Sequence, residues 1–315
     1  MDVLQEQPNV NVVADAAVAS EIVQVLARKR KSQLRLITER FMRNRLAVAG
    51  LVVLGLIALA AIFAPLLTHA SAGFDPATTP TDDIFAPLSL QHPLGTDDLG
   101  RDVLARMLYG ARVSLSVGVS AVVVAMLIGA TIGALAGYYG GFLDTLLMRF
   151  TDMVLAVPYL LILFVLSLTF ADHSFKSIVL LIAAFGWADV SRLVRGEFLS
   201  LKEREFVLAA RTLGAGDFRL IARHILPNAA APIIVAATLG IGNAIISESV
   251  LSFFGFGLAV PLSSWGVMLA DSQTLFASHP LLLWAPGLAI LLTVLCVNLI
   301  GDGLRDALDP YMTER

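Results

Sequence analysis

The chain has 315 residues, 57% of them hydrophobic and only 15% charged, with a mean hydropathy of +0.80. Soluble domains carry about 25% charged residues, so a soluble enzyme of this size is excluded. So is a disordered chain, which requires low hydrophobicity and high net charge. The net charge of −3 offers no basic field to nucleic acid. The single cysteine, Cys296 in an apolar run, permits neither an internal disulfide nor a thiolate metal cluster. What remains is a polytopic membrane protein.

A helix crosses the hydrocarbon core with about 20 mostly apolar residues. Residues 1–25 read as a weakly helical tail. Next, Leu34, Ile37 and Phe41 share one helical face, with Arg35, Arg40 and Arg43 elsewhere, which predicts an amphipathic helix on the membrane surface. Six apolar runs follow: Leu46 to Thr68, Val113 to Ala136, Met153 to Phe170 with Pro158 inside it, Ser177 to Val194, Ala229 to about Phe254, and Leu283 to Ile300. They are twice the length of membrane-barrel strands and do not alternate, so an all-α membrane fold is expected. Ala70-Ser71-Ala72 matches a signal-cleavage site, but the run before it is too long and too far from the N-terminus for a signal peptide. It reads as a retained first crossing.

Lys and Arg set the orientation. With the N-terminus in the cytoplasm, 18 of them fall on the inner side or its edge and 4 on the outer side. Both termini are therefore expected inside. The organisation is then a cytoplasmic tail and elbow helix over 1–45, a first crossing over 46–68 and an outer loop over 69–112. A five-helix core over 113–303 includes a cytoplasmic loop over 195–228, and a short tail over 304–315 ends the chain.

Within the second crossing, Ala125, Gly129, Gly133 and Gly137 repeat every four residues, the spacing that lets two helix backbones approach closely in lipid. Glu248 lies deep in the fifth crossing, and an intramembrane carboxylate normally faces the bundle interior or a watery cavity. It is a candidate for a structural hydrogen bond or for a pathway or gate. Asp152, Asp189, Arg192 and Arg195 read as an ion-pair cluster at the inner ends of crossings three and four. Pro158, Pro227 and the Gly255/Gly257 pair are candidate break points.

The loop from Arg195 to Asn228 is the most informative stretch. Ser200 to Glu203 fits a capping box and predicts a helix start there, with Gly214 as its C-cap. Asp217 is positioned to cap a second helix that Pro227 ends. The expected product is a helix hairpin outside the membrane with a small-residue patch at Ala209, Ala210 and Gly214. The outer loop carries Asp75, Asp82, Asp83, Asp97, Asp98 and Asp102 against three basic residues, an acidic surface suited to steering a partner. Residues 258–282, with Trp265, predict a short helix lying at the outer interface as a gate or docking element.

Ala209-Ala210, Gly214 and His224-Ile225-Leu226-Pro227 together resemble the EAA signature of ABC-importer permeases. Leu208 stands where that signature has Glu and His224 where Ile is common, so no glutamate contact is assigned at 208. His92-Pro93-Leu94-Gly95-Thr96-Asp97-Asp98-Leu99-Gly100-Arg101-Asp102, Ser264-Trp265-Gly266 and the run from Pro286 to Pro310 resemble the C-type subunit of the oligopeptide/dipeptide/nickel permeases. The resemblance implies a type I ABC importer permease fold and a homologous B-type permease as partner. It also implies two cytoplasmic ATPases that hold ATP and Mg, and an outer solute-binding protein. Docking of the ATPase falls on Ala209, Ala210, Gly214, Ala215, Gly216, Asp217, Leu226 and Pro227, and docking of the binding protein on Asp97, Asp98, Arg101 and Asp102. Transport by alternating access, with peptide as substrate, is the expected function. A nickel or other small-solute permease, and a membrane scaffold, are the competing readings.

The sequence has no G-x-x-x-x-G-K-[ST], H-E-x-x-H or G-x-S-x-G. A P-loop ATPase, a zincin and a serine hydrolase are thus not indicated, and neither a cofactor nor a metal is expected in this chain.

Overall fold

The computed structural model describes residues 33–68, 77–169, 172–259 and 262–309. The 1–25 tail, the Ala70-Ser71-Ala72 site and the last residues from Pro310 lie outside them. Among the described residues the protein is helical, with one isolated β-bridge, Thr96 to Asp102.

Helix α1 (Gln33–Arg43) lies across the C-terminal end of the last helix. The Phe41 ring packs beside Gly303 there, and the Arg40 guanidinium donates to the Asp309 carbonyl at 2.9 Å. Asn44 caps α2 (Arg45–Ile62) by accepting from the Ala47 amide at 3.1 Å. This helix presents Leu46, Val52, Leu56 and Leu59 outward, as expected where lipid is the solvent. It packs through Ala47 and Gly50 on the last helix, where a methyl added at Gly50 would stand 3.0 Å from the Cys296 carbonyl.

Helix α3 (Val103–Tyr139) begins at Val103, earlier than the apolar run that starts at Val113. The reason is a polar cap: Asp102 accepts from the Ala105 amide at 2.7 Å, and the first turns are buried under residues 77–102. Gly129, Gly133 and Gly137 face helix α6 (Phe175–Leu201). A Cβ at Gly129 would come within 2.6 Å of the Trp187 carbonyl, one at Gly137 within 2.7 Å of Phe198 Cβ, and one at Gly133 would collide with the Ser191 carbonyl. The stripe is therefore a backbone-to-backbone seam.

The third crossing is not one straight helix. It is α4 (Gly141–Ala156) and α5 (Tyr159–Ser167), bent by 81° at Val157–Pro158. Proline lacks the N–H that would continue the ladder and drives its predecessor into extended backbone, and Val157 has φ −90° and ψ 131°. Counting this pair as one span, six spans among the described residues are long and apolar enough to cross a membrane.

Helix α6 runs through Ser200 to Leu201, so the predicted capping box does not start a helix. Val194 and Phe198 are still buried against the Gly133/Gly137 seam, and that packing carries the helix past the local signal. A short helix α7 (Glu205–Thr212) follows, then α8 (Asp217–Phe253). Pro227 does not end α8. A π turn over Leu220–Ile225 precedes it, in which the Leu226 amide donates to the Ile221 carbonyl five residues back. The widened turn absorbs the ring and the missing donor of Pro227. Helices α9 (Trp265–Asp271) and α10 (Leu281–Leu308) follow. A short helix does form within residues 258–282, and it packs one face on the bundle. Trp265, Gly266 and Met268 are buried against α3, α8 and α10. The main apolar core joins α3, α6 and α8, with Leu163 of α5 inserted.

Candidate functional site

The end of the bundle formed by α7 and the start of α8 gathers the predicted signature residues into one hairpin. Gly214 has φ +84° and terminates α7 in a full Schellman motif: its amide donates to the Arg211 carbonyl at 3.0 Å, and the Ala215 amide donates to Ala210 at 3.1 Å. Ala210 and Gly214 are thus joined by backbone geometry, which explains their spacing. Gly216, not Asp217, occupies the N-cap of the next helix and makes no side-chain cap. The Asp217 carboxylate instead accepts the Tyr138 hydroxyl at 2.6 Å, and Arg211 donates to that same hydroxyl at 3.4 Å. Lys202 reaches the Gly137 carbonyl at 3.0 Å. Val207, Leu220 and Ile225 are buried with Phe198 in a core of their own. The hairpin is therefore anchored both to the tip of α3 and to α6.

At its apex Leu213 is 88% and Phe218 84% exposed, with Phe206, Leu208 and Leu226 also facing out. Leu213 and Phe218 escaped the motif reading, and their signal was apolar residues beside a C-cap glycine in an otherwise charged loop. Pro227 sits within α8, just beyond the π turn, so the hairpin and the spanning helix are one continuous rod.

At the opposite end, residues 77–102 fold back on the start of α3. Asp97 and Asp102 are turned inward, which corrects the docking assignment for those two, while Asp82, Asp83 and Asp98 are exposed. Asp97 accepts from the Leu99 and Arg101 amides, from the Arg101 guanidinium at 2.7 Å and from the buried Arg106 at 2.7 Å. Arg106 also donates to Asp271 of α9 at 2.7 Å. Asp102 caps α3 and meets His92 Nδ1 at 2.8 Å. Asp97, Arg101 and Asp102 therefore hold the segment together, because a buried carboxylate is stable only when paired and hydrogen-bonded. Of the four, Asp98 is the one left exposed.

Glu248 and Trp265 meet around Ser264. Glu248 is 0% exposed, and its Oε1 accepts from Ser252 at 2.8 Å and from Ser264 at 2.6 Å, while Oε2 has no partner. Ser264 in turn caps α9 by accepting from the Val267 amide at 3.1 Å. The Trp265 amide donates to Ser114, and its indole to the Met107 carbonyl at 3.0 Å. Neither residue lines the main cleft. Their geometry is that of a polar bolt joining α3, α8 and α9.

That cleft, of about 720 Å³, lies between α3, the α4–α5 break, α6 and α8. The predicted four-residue charge cluster resolves into two pairs and one free member. Arg195 forms a bidentate pair with Asp144, which the sequence reading did not include, and Arg192 meets Asp152 at 2.5 Å. Asp189 stands apart from both and faces the cleft.

The comparisons agree with this architecture. Residues 129–314 match the family described as binding-protein-dependent transport system inner membrane component, and residues 32–98 match the N-terminal TM domain of oligopeptide transport permease C. The chain is 44% identical to the dipeptide transport system permease protein DppC of Alkalihalophilus pseudofirmus, over 86% of this chain and 87% of that protein. It is 40% identical to the oligopeptide transport system permease protein OppC of Bacillus subtilis, over 87% and 88% of the two chains. It is 44% identical to the OppC of Escherichia coli K12, over 86% and 89%.

Proposed function

Because the chain belongs to the binding-protein-dependent inner-membrane transport permeases, in the group of the C-type dipeptide and oligopeptide subunits, we propose that it forms half of the pathway of an ATP-driven peptide importer. A homologous B-type permease supplies the other half, two separate ATPase subunits supply the energy, and a solute-binding protein delivers the peptide. Both termini and the α7 hairpin face the cytoplasm, as the distribution of basic residues favours.

The observation that carries the reading is the hairpin. Leu213 and Phe218 project into solvent from a rigid, doubly anchored turn, which is costly for a lone chain and natural for a knob that enters a groove on a soluble subunit. The unbroken rod from Asp217 to Phe253 then provides the lever. When the ATPases close on ATP, displacement of the knob passes along α8 and through the Tyr138–Asp217 bond to α3. The bend at Pro158 offers a site where the cleft wall swings between inward-open and outward-open arrangements.

The test is co-purification and reconstitution with the two ATPases, the second permease and the binding protein. Replacing Leu213 and Phe218 together by Asp is expected to remove the ATPases while leaving the second permease bound. The two side chains contribute about 1.5–3 kcal/mol each when buried, so the loss of affinity is above about 100-fold. Retention of the ATPases with undiminished uptake would overturn the coupling assignment. ATP hydrolysis by the isolated chain would overturn the division of labour.

A further inference from the structure

We propose that Asp189 receives the protonated α-amino group of the peptide as it crosses the cleft. The proposal rests on the peptide-permease reading above and adds the group that the substrate presents to this subunit.

Asp189 lies about 21 Å along α6 from Phe175, within the apolar run and towards its inner end, and its side chain is exposed on the cleft. An intramembrane carboxylate is expensive unless it is paired or wetted. No hydrogen bond or ion pair holds Asp189 among the described residues. The nearest cation along its own helix, Arg192, is engaged by Asp152 at 2.5 Å. The neighbouring polar groups on the cleft wall, Tyr159, Asn243 and Ser247, are neutral, and no Lys, Arg or His lines it. The remaining wall is apolar, including Val122, Met126 and Phe185. The cleft therefore carries one uncompensated negative charge in an otherwise greasy chamber. Its volume of about 720 Å³ suits a ligand of small-molecule size.

The occupant that fits is a cation with variable apolar substituents. Peptides present an ammonium at the N-terminus whatever their sequence, and a charge-assisted N–H···O⁻ bond recognises that constant part. Apolar walls accept diverse side chains because burial is non-directional. A bare metal ion fits poorly, since no group of three or more His, Cys, Asp or Glu side chains is gathered among the described residues.

The experiment compares wild type, Asp189→Asn and Asp189→Glu in the complete transporter in proteoliposomes. Uptake of a dipeptide with a free amino terminus and ATP hydrolysis stimulated by the loaded binding protein are read together. For Asp189→Asn, uptake is expected to fall about tenfold with stimulated ATP hydrolysis within about twofold of wild type, and Asp189→Glu to restore most of the uptake. Unchanged uptake by Asp189→Asn overturns the proposal. So does a parallel loss of assembly or ATP hydrolysis that Glu fails to rescue, which marks Asp189 as structural. Absence of peptide uptake by the wild type would instead overturn the permease reading on which the proposal rests.

Discussion

Single buried charges decide how the 77–102 segment is held. Arg106 is 4% exposed and shares its guanidinium between Asp97 and Asp271. Asp97→Ala leaves that cation buried with half its partners, and breaking such a pair costs about 3–5 kcal/mol. Asp98→Ala, at an exposed carboxylate, is expected to change stability by less than about 0.5 kcal/mol. Thermal unfolding of the two variants in detergent separates them, and equal midpoints would show that the buried pair contributes little. Glu248 is judged by the same logic. Its loss in Glu248→Ala leaves the hydroxyls of Ser252 and Ser264 without their acceptor, at about 1–3 kcal/mol for each unmet buried group. Glu248→Gln keeps an acceptor oxygen in the same place and is expected to retain both stability and uptake. Loss of uptake by Gln with stability intact would restore a pathway role.

Among the elements, the α3–α6 seam and the α7 hairpin show why small residues recur where they do. A Cβ at Gly133 meets the Ser191 backbone carbonyl, which has no rotamer to escape into. Gly133→Ala is therefore expected to push the helices apart at a cost of about 1–3 kcal/mol. Gly55 on α2 has open space around it, and Gly55→Ala is expected to be neutral or to stabilise the helix by about 0.5–1 kcal/mol. Heat resistance of the purified protein ranks the two, and the reverse order would deny the seam its role. Glycine at 214 serves a different need. Its φ of +84° lies in the left-handed region, where a side chain costs about 1–2 kcal/mol. The Gly255–Phe256 turn repeats the same Schellman geometry at the far end of α8, with Phe256 donating to Leu251 at 2.8 Å. This glycine ends a helix, and the break-point role falls to Pro158.

Across the whole molecule, α3 is about 55 Å long and ties the hairpin at Tyr138 to the capped segment at Asp102, so the two polar ends move on a common strut. Sidedness is tested directly, because the one native cysteine is buried. A membrane-impermeant maleimide is expected to label Leu213→Cys in inverted vesicles and Leu90→Cys, at a fully exposed position, in right-side-out preparations. Labelling of both from one side would overturn the assigned orientation. The cleft lies between these ends, walled by α3, the α4–α5 pair and α6, which are consecutive, and by α8.

The sequence by itself determined the membrane class, the positions of the apolar runs and the residues of the hairpin. Hydropathy over about 20 residues, four-residue glycine spacing and a C-cap glycine are local signals that tertiary contacts did not override. The same local rules failed at Ser200, Asp217 and Pro227. There, continued burial of Phe198, a hydroxyl from Tyr138 and a π turn outcompeted the capping box, the N-cap and the proline stop. Charge patterns also look alike in a sequence whether the carboxylates face solvent or one another. Only the fold turned Asp97 and Asp102 inward and sealed Glu248 among serines. Only the fold left Asp189 facing an apolar cleft, because pairing over long sequence separations is fixed by how helices pack and not by spacing along the chain.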